Sequence, residues 1–436
     1  MSLRAYHLTR EQLLADLHQA YYDARRHKRQ KPYQQRFERN AEANLAALCD
    51  ELWERRYEPQ PSTCFIINEP KRREVFAANF RDRVVHHLYF NYTHEMLERT
   101  FISDTYSCIR HRGTHYGIDR LEHHIRQESQ NYQERCYVLK MDISGYFMHI
   151  DRRRLLDIAL HSLRRMASHS VGAGPVPART AARRYGPAGE HTPLPAFGLA
   201  QGLPLKWRDV VDMDFVAWLS RVIILQDSTL CSRRRGTLLD WYGLPHDKSL
   251  FHSPPGCGLP IGNLTSQLFS NVYLNELDQY VKRQLGCHHY GRYVDDFYIV
   301  SADREWLLSL RKPIATFLSG QLGLEVNAGK TVVYDVRYGV EFLGAWLKPG
   351  RRYVSRRSLE RMASKVPSLA GKESSELLRS SLNSFLGVLS HYKSYRIRRI
   401  LFTNLDHVYR YGYYLKGMSK IVFYPFQEKN DTFARI

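Results

Sequence analysis

Apolar residues recur every three to four positions from residue 8 to about 57. Leu13, Leu14, Leu17 and Tyr21 form one such set, and Leu45, Leu48, Leu52 and Trp53 another. That period predicts helices. The pattern then changes. Cys64 to Ile67 is an unbroken β-forming run, Pro70 interrupts it, and β-formers return at Val75, which predicts a hairpin. Asn79 opens a further helix through Leu88. Tyr137 to Met141 reads as a buried strand with Asp142 at its end. Residues 256–278 run from a Gly- and Pro-punctuated loop into a helix with Leu268, Val272 and Leu277 on its apolar face. Gly291 to Val300 reads as a tight hairpin carrying Asp295 and Asp296 at its tip. Leu307, Leu310 and Ile314 predict a helix, and Val340 to Leu347 a strand or hairpin. Beyond Arg351-Arg352 the chain turns helical, with Leu378, Leu382, Phe385, Leu386 and Leu389 on one face. Residues 165–205, rich in Pro, Gly and Ala, predict a flexible insertion, inside which Gln201-Gly202-Leu203-Pro204 reads as a chance motif.

Composition narrows the partners. Over 436 residues, Lys and Arg total 64 against 44 Asp and Glu, a formal charge of +20. A polyanion is the expected partner. No apolar run is long enough to span a bilayer, so no membrane role is expected. Aromatic residues make up 12% of the chain, led by 29 Tyr, which suits stacking on bases as well as core packing. Seven cysteines without a CxxC pair point to a reducing compartment, and the first residues lack a signal-peptide apolar core; a cytoplasmic location is expected. The basic runs Arg25–Lys31, Lys71-Arg72-Arg73, Arg110–Arg112 and Arg233–Arg235 are either solvated faces or phosphate contacts. Asp82-Arg83 reads as a structural ion pair, and the adjacent His86 and His87 as packing or surface residues, since neighbours on a helix point in different directions.

The candidate chemistry lies in the acids. Asp-Asp alone is commonly a solvated turn, and a lone Asp after a strand is commonly a helix cap. Asp142, Asp295 and Asp296 together place three carboxylates on two strand tips, the ligand type that hard cations prefer. Such a set suits two-metal phosphoryl transfer.

Taken in order, Asp142 with Phe147, Gly262 with Ser266-Gln267, Tyr293-Val294-Asp295-Asp296, Lys330 and Phe342-Leu343-Gly344 resemble the motifs of reverse transcriptases over roughly residues 60–350. The resemblance implies an α+β right-hand polymerase fold with fingers, an antiparallel-sheet palm and a helical thumb. Residues 1–60 would be a helical N-terminal extension, 61–350 fingers and palm, and 351–436 the basic thumb. Within Leu259–Gln267, Ile261-Gly262 and Ser266-Gln267 depart from the Gln-Gly and Ser-Pro of most relatives. They look like the enzymes of diversity-generating retroelements, which copy a template-repeat RNA with errors at adenines. The run Arg73–His87 is similar to that group too.

The resemblance implies an RNA-directed DNA polymerase with these roles. Asp142 and Asp295 would bind two Mg²⁺ ions, with Mn²⁺ as a substitute. The Ile143 carbonyl would be a further ligand, and Asp296 would support the site. Phe147 would lie under the incoming sugar and exclude a 2′-hydroxyl. Lys71, Arg73 and Arg110 would hold the triphosphate. Lys330 would protonate the leaving pyrophosphate. Ile261, Gly262 and Gln267 would border the nucleotide, and Tyr293, Phe342, Leu343 and Gly344 the primer and template. Implied partners are template RNA, the RNA/cDNA duplex, dNTPs and a small basic accessory variability determinant protein. Two other classes stand beside this reading: a reverse-transcriptase-like phage-defence enzyme with protein-primed, RNA-primed or untemplated synthesis, and a non-catalytic RNA-binding relative.

Overall fold

The computed structural model describes residues 8–26, 31–68, 71–172, 212–230, 232–370, 375–402 and 412–424. Its strands, in chain order, begin with β1 (Ser62–Ile67), β2 (Arg73–Ala77), β3 (Tyr137–Asp142), β4 (Ser232–Arg234), β5 (Tyr290–Tyr293) and β6 (Asp296–Ser301). There follow β7 (Val332–Asp335), β8 (Val340–Phe342), β9 (Ala345–Lys348), β10 (Arg351–Val354), β11 (Gly412–Tyr414) and β12 (Ile421–Phe423). The chain divides into two compact units. One comprises residues 1–110, 143–286 and 312–327; the other comprises 111–142, 287–311 and 328–436.

The first unit is mainly helical. Helix Phe80–Glu98 starts where Asn79 accepts a hydrogen bond from the Arg81 N–H, the N-cap expected of Asn. Helix Leu264–Gln279 buries Leu268, Val272 and Leu277 as the periodicity predicts. It also buries Ser266, Ser270, Asn271, Asn275 and Asp278 on its remaining sides, so it is packed all round. Those polar groups are satisfied locally: Asn271 Nδ2 donates to the Ser107 carbonyl at 2.7 Å, and Thr105 Oγ1 donates to Asp278 at 3.1 Å. The unit's sheet has the order β2-β1-β4, with β1 and β2 forming the expected antiparallel hairpin. Helices Arg10–Arg25, Pro32–Glu38 and Ala41–Trp53 occupy the predicted N-terminal stretch.

The second unit is built on the antiparallel sheet β5-β6-β3-β7. β3 and β6 are almost wholly buried, which explains their near-continuous apolar runs. A second sheet, β10-β9-β8, follows along the chain, then helices Arg356–Ala370, Ser375–Ser390 and Tyr395–Phe402. Two expectations are corrected here. Arg351–Val354 is a strand paired with β9 rather than the start of a helix, and the small sheet β11-β12 interrupts a tail expected to be helical. Strands of three or four residues leave too little alternation to read against helical flanks.

A third correction concerns Asp82. Its carboxylate is buried and accepts from Tyr57 Oη at 2.9 Å, the Gln60 N–H at 2.8 Å and Arg81 Nη1 at 3.2 Å; Arg83 instead donates to the Ala78 carbonyl and Tyr33 Oη. Residues 165–172 belong to helix Arg152–Gly172 rather than to the expected insertion; from residue 173 on, that insertion lies outside the described residues, as does Gln201–Pro204, and so do residues 27–30 of the first basic run.

His86 is buried, as expected of a packing residue, and its Nδ1 lies 2.8 Å from Thr265 Oγ1. Burial, helped by the charges of His87 and Arg83, pushes its pKa from the usual 6.5 down to about 3. The unfolded chain binds that proton near 6.5 and the folded chain does not. The stability contributed is therefore complete above pH 6.5 and is lost as the pH falls towards 3. Thermal melts between pH 7 and pH 4 should show the unaltered protein losing more stability than a His86→Asn variant. Equal losses would show that this imidazole does not titrate on unfolding.

Candidate active site

The acids gather at one end of the sheet β5-β6-β3-β7. In the β3–β6 register Asp142 stands opposite Asp296, and Tyr293 stands opposite Asp296 in the β5–β6 register. Residues 294–295 form the two-residue turn between β5 and β6. Directly opposed residues on antiparallel strands share a face, and like charges there repel. Two lysines answer that repulsion. Lys330, at the end of the 3₁₀ turn Ala328–Lys330, places Nζ 2.5 Å from Asp142 Oδ2. Lys140, two residues before Asp142 on the same strand, places Nζ 3.4 Å from Asp296 Oδ1 and 6.0 Å from the Phe342 ring centroid.

The repulsion is not fully cancelled. Burial, then the charges of Asp142 and Asp296, push the Asp295 carboxyl up from 3.8 to about 6. Burial likewise raises Asp296, against the opposing pull of Lys140. Burial alone would lower the Lys330 ammonium, but its hydrogen bond to Asp142 and the three carboxylate charges hold it above its usual value.

The turn itself is strained. Val294 has φ of 56°, a left-handed conformation that a β-branched residue rarely adopts. Glycine is the usual occupant at that position of a two-residue hairpin turn. The buried Arg292 side chain donates to the Val294 carbonyl at 3.0 Å and fastens the turn from within. Strain of this kind persists only where surrounding structure imposes it.

Among the described residues no three or more His, Cys, Asp or Glu converge as a ready metal cage; the cations beside these acids are lysine ammonium groups. The donor chemistry nevertheless fits a divalent cation. All three side chains offer hard carboxylate oxygen, and buried Asp296 Oδ1 is met only by the Lys140 ammonium at 3.4 Å.

The remaining predicted residues divide between the units. In the second unit, Phe342 is fully buried, edge-on to Tyr298 with centroids 5.1 Å apart, and Leu343 and Gly344 form the β8–β9 turn, both with positive φ. In the first unit, Phe147 lies on the single turn Tyr146–His149 and shares one apolar cluster with Ile261. The Ile261 carbonyl accepts from the Phe76 N–H at 2.9 Å. At Gly262, φ is 123°, and a Cβ would come within 2.9 Å of Val75 Cγ1, so glycine is required where this loop crosses β2. Gln267 is exposed, its Oε1 taking the Cys108 thiol at 3.5 Å. Lys71 and Arg73 are exposed at the β1–β2 hairpin, Arg110 is exposed on the loop before helix Thr114–Glu128, and Ile143 is buried in an antiparallel bridge to Val326.

Sequence reading passed over Lys140. Counting back two residues from Asp142 along a strand would have found it, since period-two positions share a face. No local signal marks the Val294 strain.

Residues 218–347 match the family model described as reverse transcriptase (RNA-dependent DNA polymerase). That stretch is thus similar to reverse transcriptases. The match spans Ile261 to Gln267, Asp295, Asp296, Lys330 and Phe342 to Gly344, and with the helices and antiparallel sheets above it gives the α+β right-hand polymerase fold. Two solved structures are similar. One is telomerase from Candida albicans in complex with a TWJ fragment of telomeric RNA, at 11% identity and TM-score 0.43, covering 80% of this chain and 55% of that one. The other is apo telomerase from Candida tropicalis, at 12% identity and TM-score 0.44, covering 75% and 52%. The chain thus spans about half the length of the telomerases it matches. No curated protein matches it.

The residual repulsion makes a prediction. Asp295→Asn removes one of three crowded charges and should stabilise the metal-free protein at neutral pH by about 1–2 kcal/mol. Urea denaturation measures this; a destabilised variant would show that Asp295 is a structural anchor instead.

Proposed function

We propose that this chain is an RNA-directed DNA polymerase of the diversity-generating retroelement kind, which copies a template-repeat RNA into cDNA with errors at adenines for mutagenic retrohoming. The observation that carries the polymerase reading is the placement of Asp142, Asp295 and Asp296 on adjacent strand ends with Lys330 against them. The reverse transcriptase match over residues 218–347 supports it. The finer assignment rests on Ile261-Gly262 and Ser266-Gln267, the residues that resemble the retroelement enzymes.

Asp142 and Asp295, with the Ile143 carbonyl, would hold two Mg²⁺ ions, and Asp296 would support them; bound there, the ions would supply charge neutralisation for the transferred phosphate. The chain's own residues do the rest. Lys330, kept protonated beside Asp142, has a proton to give to the leaving pyrophosphate. Lys71, Arg73 and Arg110 supply cations for a triphosphate, and guanidinium groups suit it by bidentate contact. Phe147 excludes a 2′-hydroxyl by its bulk. Ile261 offers no hydrogen bond where relatives carry a polar side chain, and that loss weakens discrimination against mismatched pairs. Tyr293, Phe342, Leu343 and Gly344 border the primer and template. In this reading residues 1–60 are a helical extension, 61–350 fingers and palm, and 351–436 the thumb. The enzyme acts in the cytoplasm with structured RNA and a small basic accessory protein.

Primer extension on RNA with Mg²⁺ and dNTPs tests the proposal, run with the accessory protein and cognate RNA and read by sequencing the cDNA. Product is expected from the unaltered chain and not from Asp295→Ala/Asp296→Ala, with errors concentrated opposite template adenines. Ile261→Gln should lower those errors by about tenfold. Faithful cDNA from the unaltered chain would refute the retroelement assignment, and untemplated product would favour the phage-defence class.

A further inference from the structure

One buried carboxylate is used by neither the acid cluster nor the roles assigned above. Glu74 is the second residue of β2, with 1% of its surface exposed. Burying a carboxylate is costly unless donors replace its water. The donors here all come from one distant stretch of chain: Trp241 Nε1 at 2.7 Å, Ser249 Oγ at 3.1 Å and the Leu250 N–H at 2.6 Å.

β2 alternates, so Glu74 and Phe76 share a face. Phe76 meets Phe251 of the same stretch, with ring centroids 5.6 Å apart. The stretch is thus held by a polar clamp and a ring contact from two successive positions on one face of the strand. Trp241, Leu250 and Phe251 in turn belong to the apolar cluster that includes Phe147 and Ile261. Arg234 of β4 lies 4.3 Å from the Phe251 ring centroid and 5.7 Å from that of Trp241. The backbone of β2 completes the arrangement by donating from Phe76 to the Ile261 carbonyl. One strand therefore fixes both the residue that borders the base and the wall that Phe147 packs against.

We infer that Glu74 is a positioning residue for nucleotide selection: by clamping Trp241–Leu250 onto β2 it sets how far Phe147 and Ile261 give way to the incoming sugar and base. This deepens the polymerase reading and rests on it. The clamp touches no substrate, so its loosening acts on selectivity through the packing of Phe147 and Ile261.

The test compares the full chain with Glu74→Ala and Trp241→Phe, the latter keeping an aromatic ring while deleting the indole N–H donor. Steady-state kinetics are run with dNTP and with the matching rNTP. Expected is a fall in the dNTP-over-rNTP ratio of kcat/KM of about tenfold in Glu74→Ala, carried mainly by KM, and a smaller fall in Trp241→Phe. A purely structural role would reduce the amount of folded enzyme and scale both substrates equally, leaving the ratio unchanged. An unchanged ratio in Trp241→Phe, which loses the Nε1 donor to Glu74, overturns the inference even if Glu74→Ala does not fold. Absence of any incorporation by the unaltered chain overturns the polymerase reading and the inference with it.

Discussion

Three carboxylates crowded onto adjacent strand ends repel one another, and the second unit is arranged around that repulsion. β3 and β6 pair so that Asp142 and Asp296 oppose each other, and a two-residue turn adds Asp295. Only partial compensation is built in. Lys330 binds Asp142, Lys140 approaches Asp296, and Asp295 is left with a carboxyl raised to about 6. A fold selected for stability alone would have placed neutral residues there. Negative charge left over on buried carboxylate oxygen is what a divalent cation would neutralise.

The surrounding structure makes that crowding tolerable. β3 and β6 are buried along nearly their whole length, so the strands cannot splay to separate the acids. The Val294 turn holds a conformation its side chain disfavours, with Arg292 fastening it from inside. In the first unit the same logic runs through β2, an edge strand whose free N–H at Phe76 takes the Ile261 carbonyl while its buried face clamps Trp241 to Phe251. In both units the backbone fixes the chemistry-bearing residues and long-range polar contacts lock the backbone.

Much of this was legible in the chain. The Tyr293-Val294-Asp295-Asp296 hairpin, the strand ending at Asp142, the β1–β2 hairpin and the helix after Gly262 all carry strong local signals: apolar runs, turn residues and a change of period. What stayed hidden depends on contacts between distant positions. Asp82 takes Arg81 together with Tyr57 and the Gln60 N–H, the latter two lying 25 and 22 positions away. Glu74 looks like an ordinary charged residue in a basic hairpin until a segment more than 160 positions away supplies its donors. Short strands such as β10 and β11 owe their existence to pairing partners rather than to their own propensity.

In the proposed function Asp142 and Asp295 would hold a divalent cation, and Lys330 is not one of its ligands. Mn²⁺ titration followed by electron paramagnetic resonance, with dNTP present, measures this directly. The account predicts protein-dependent Mn²⁺ binding that is lost in Asp142→Asn and in Asp295→Asn and retained in Lys330→Met. Binding that is equal in all four proteins, or absent from the unaltered chain, would contradict it.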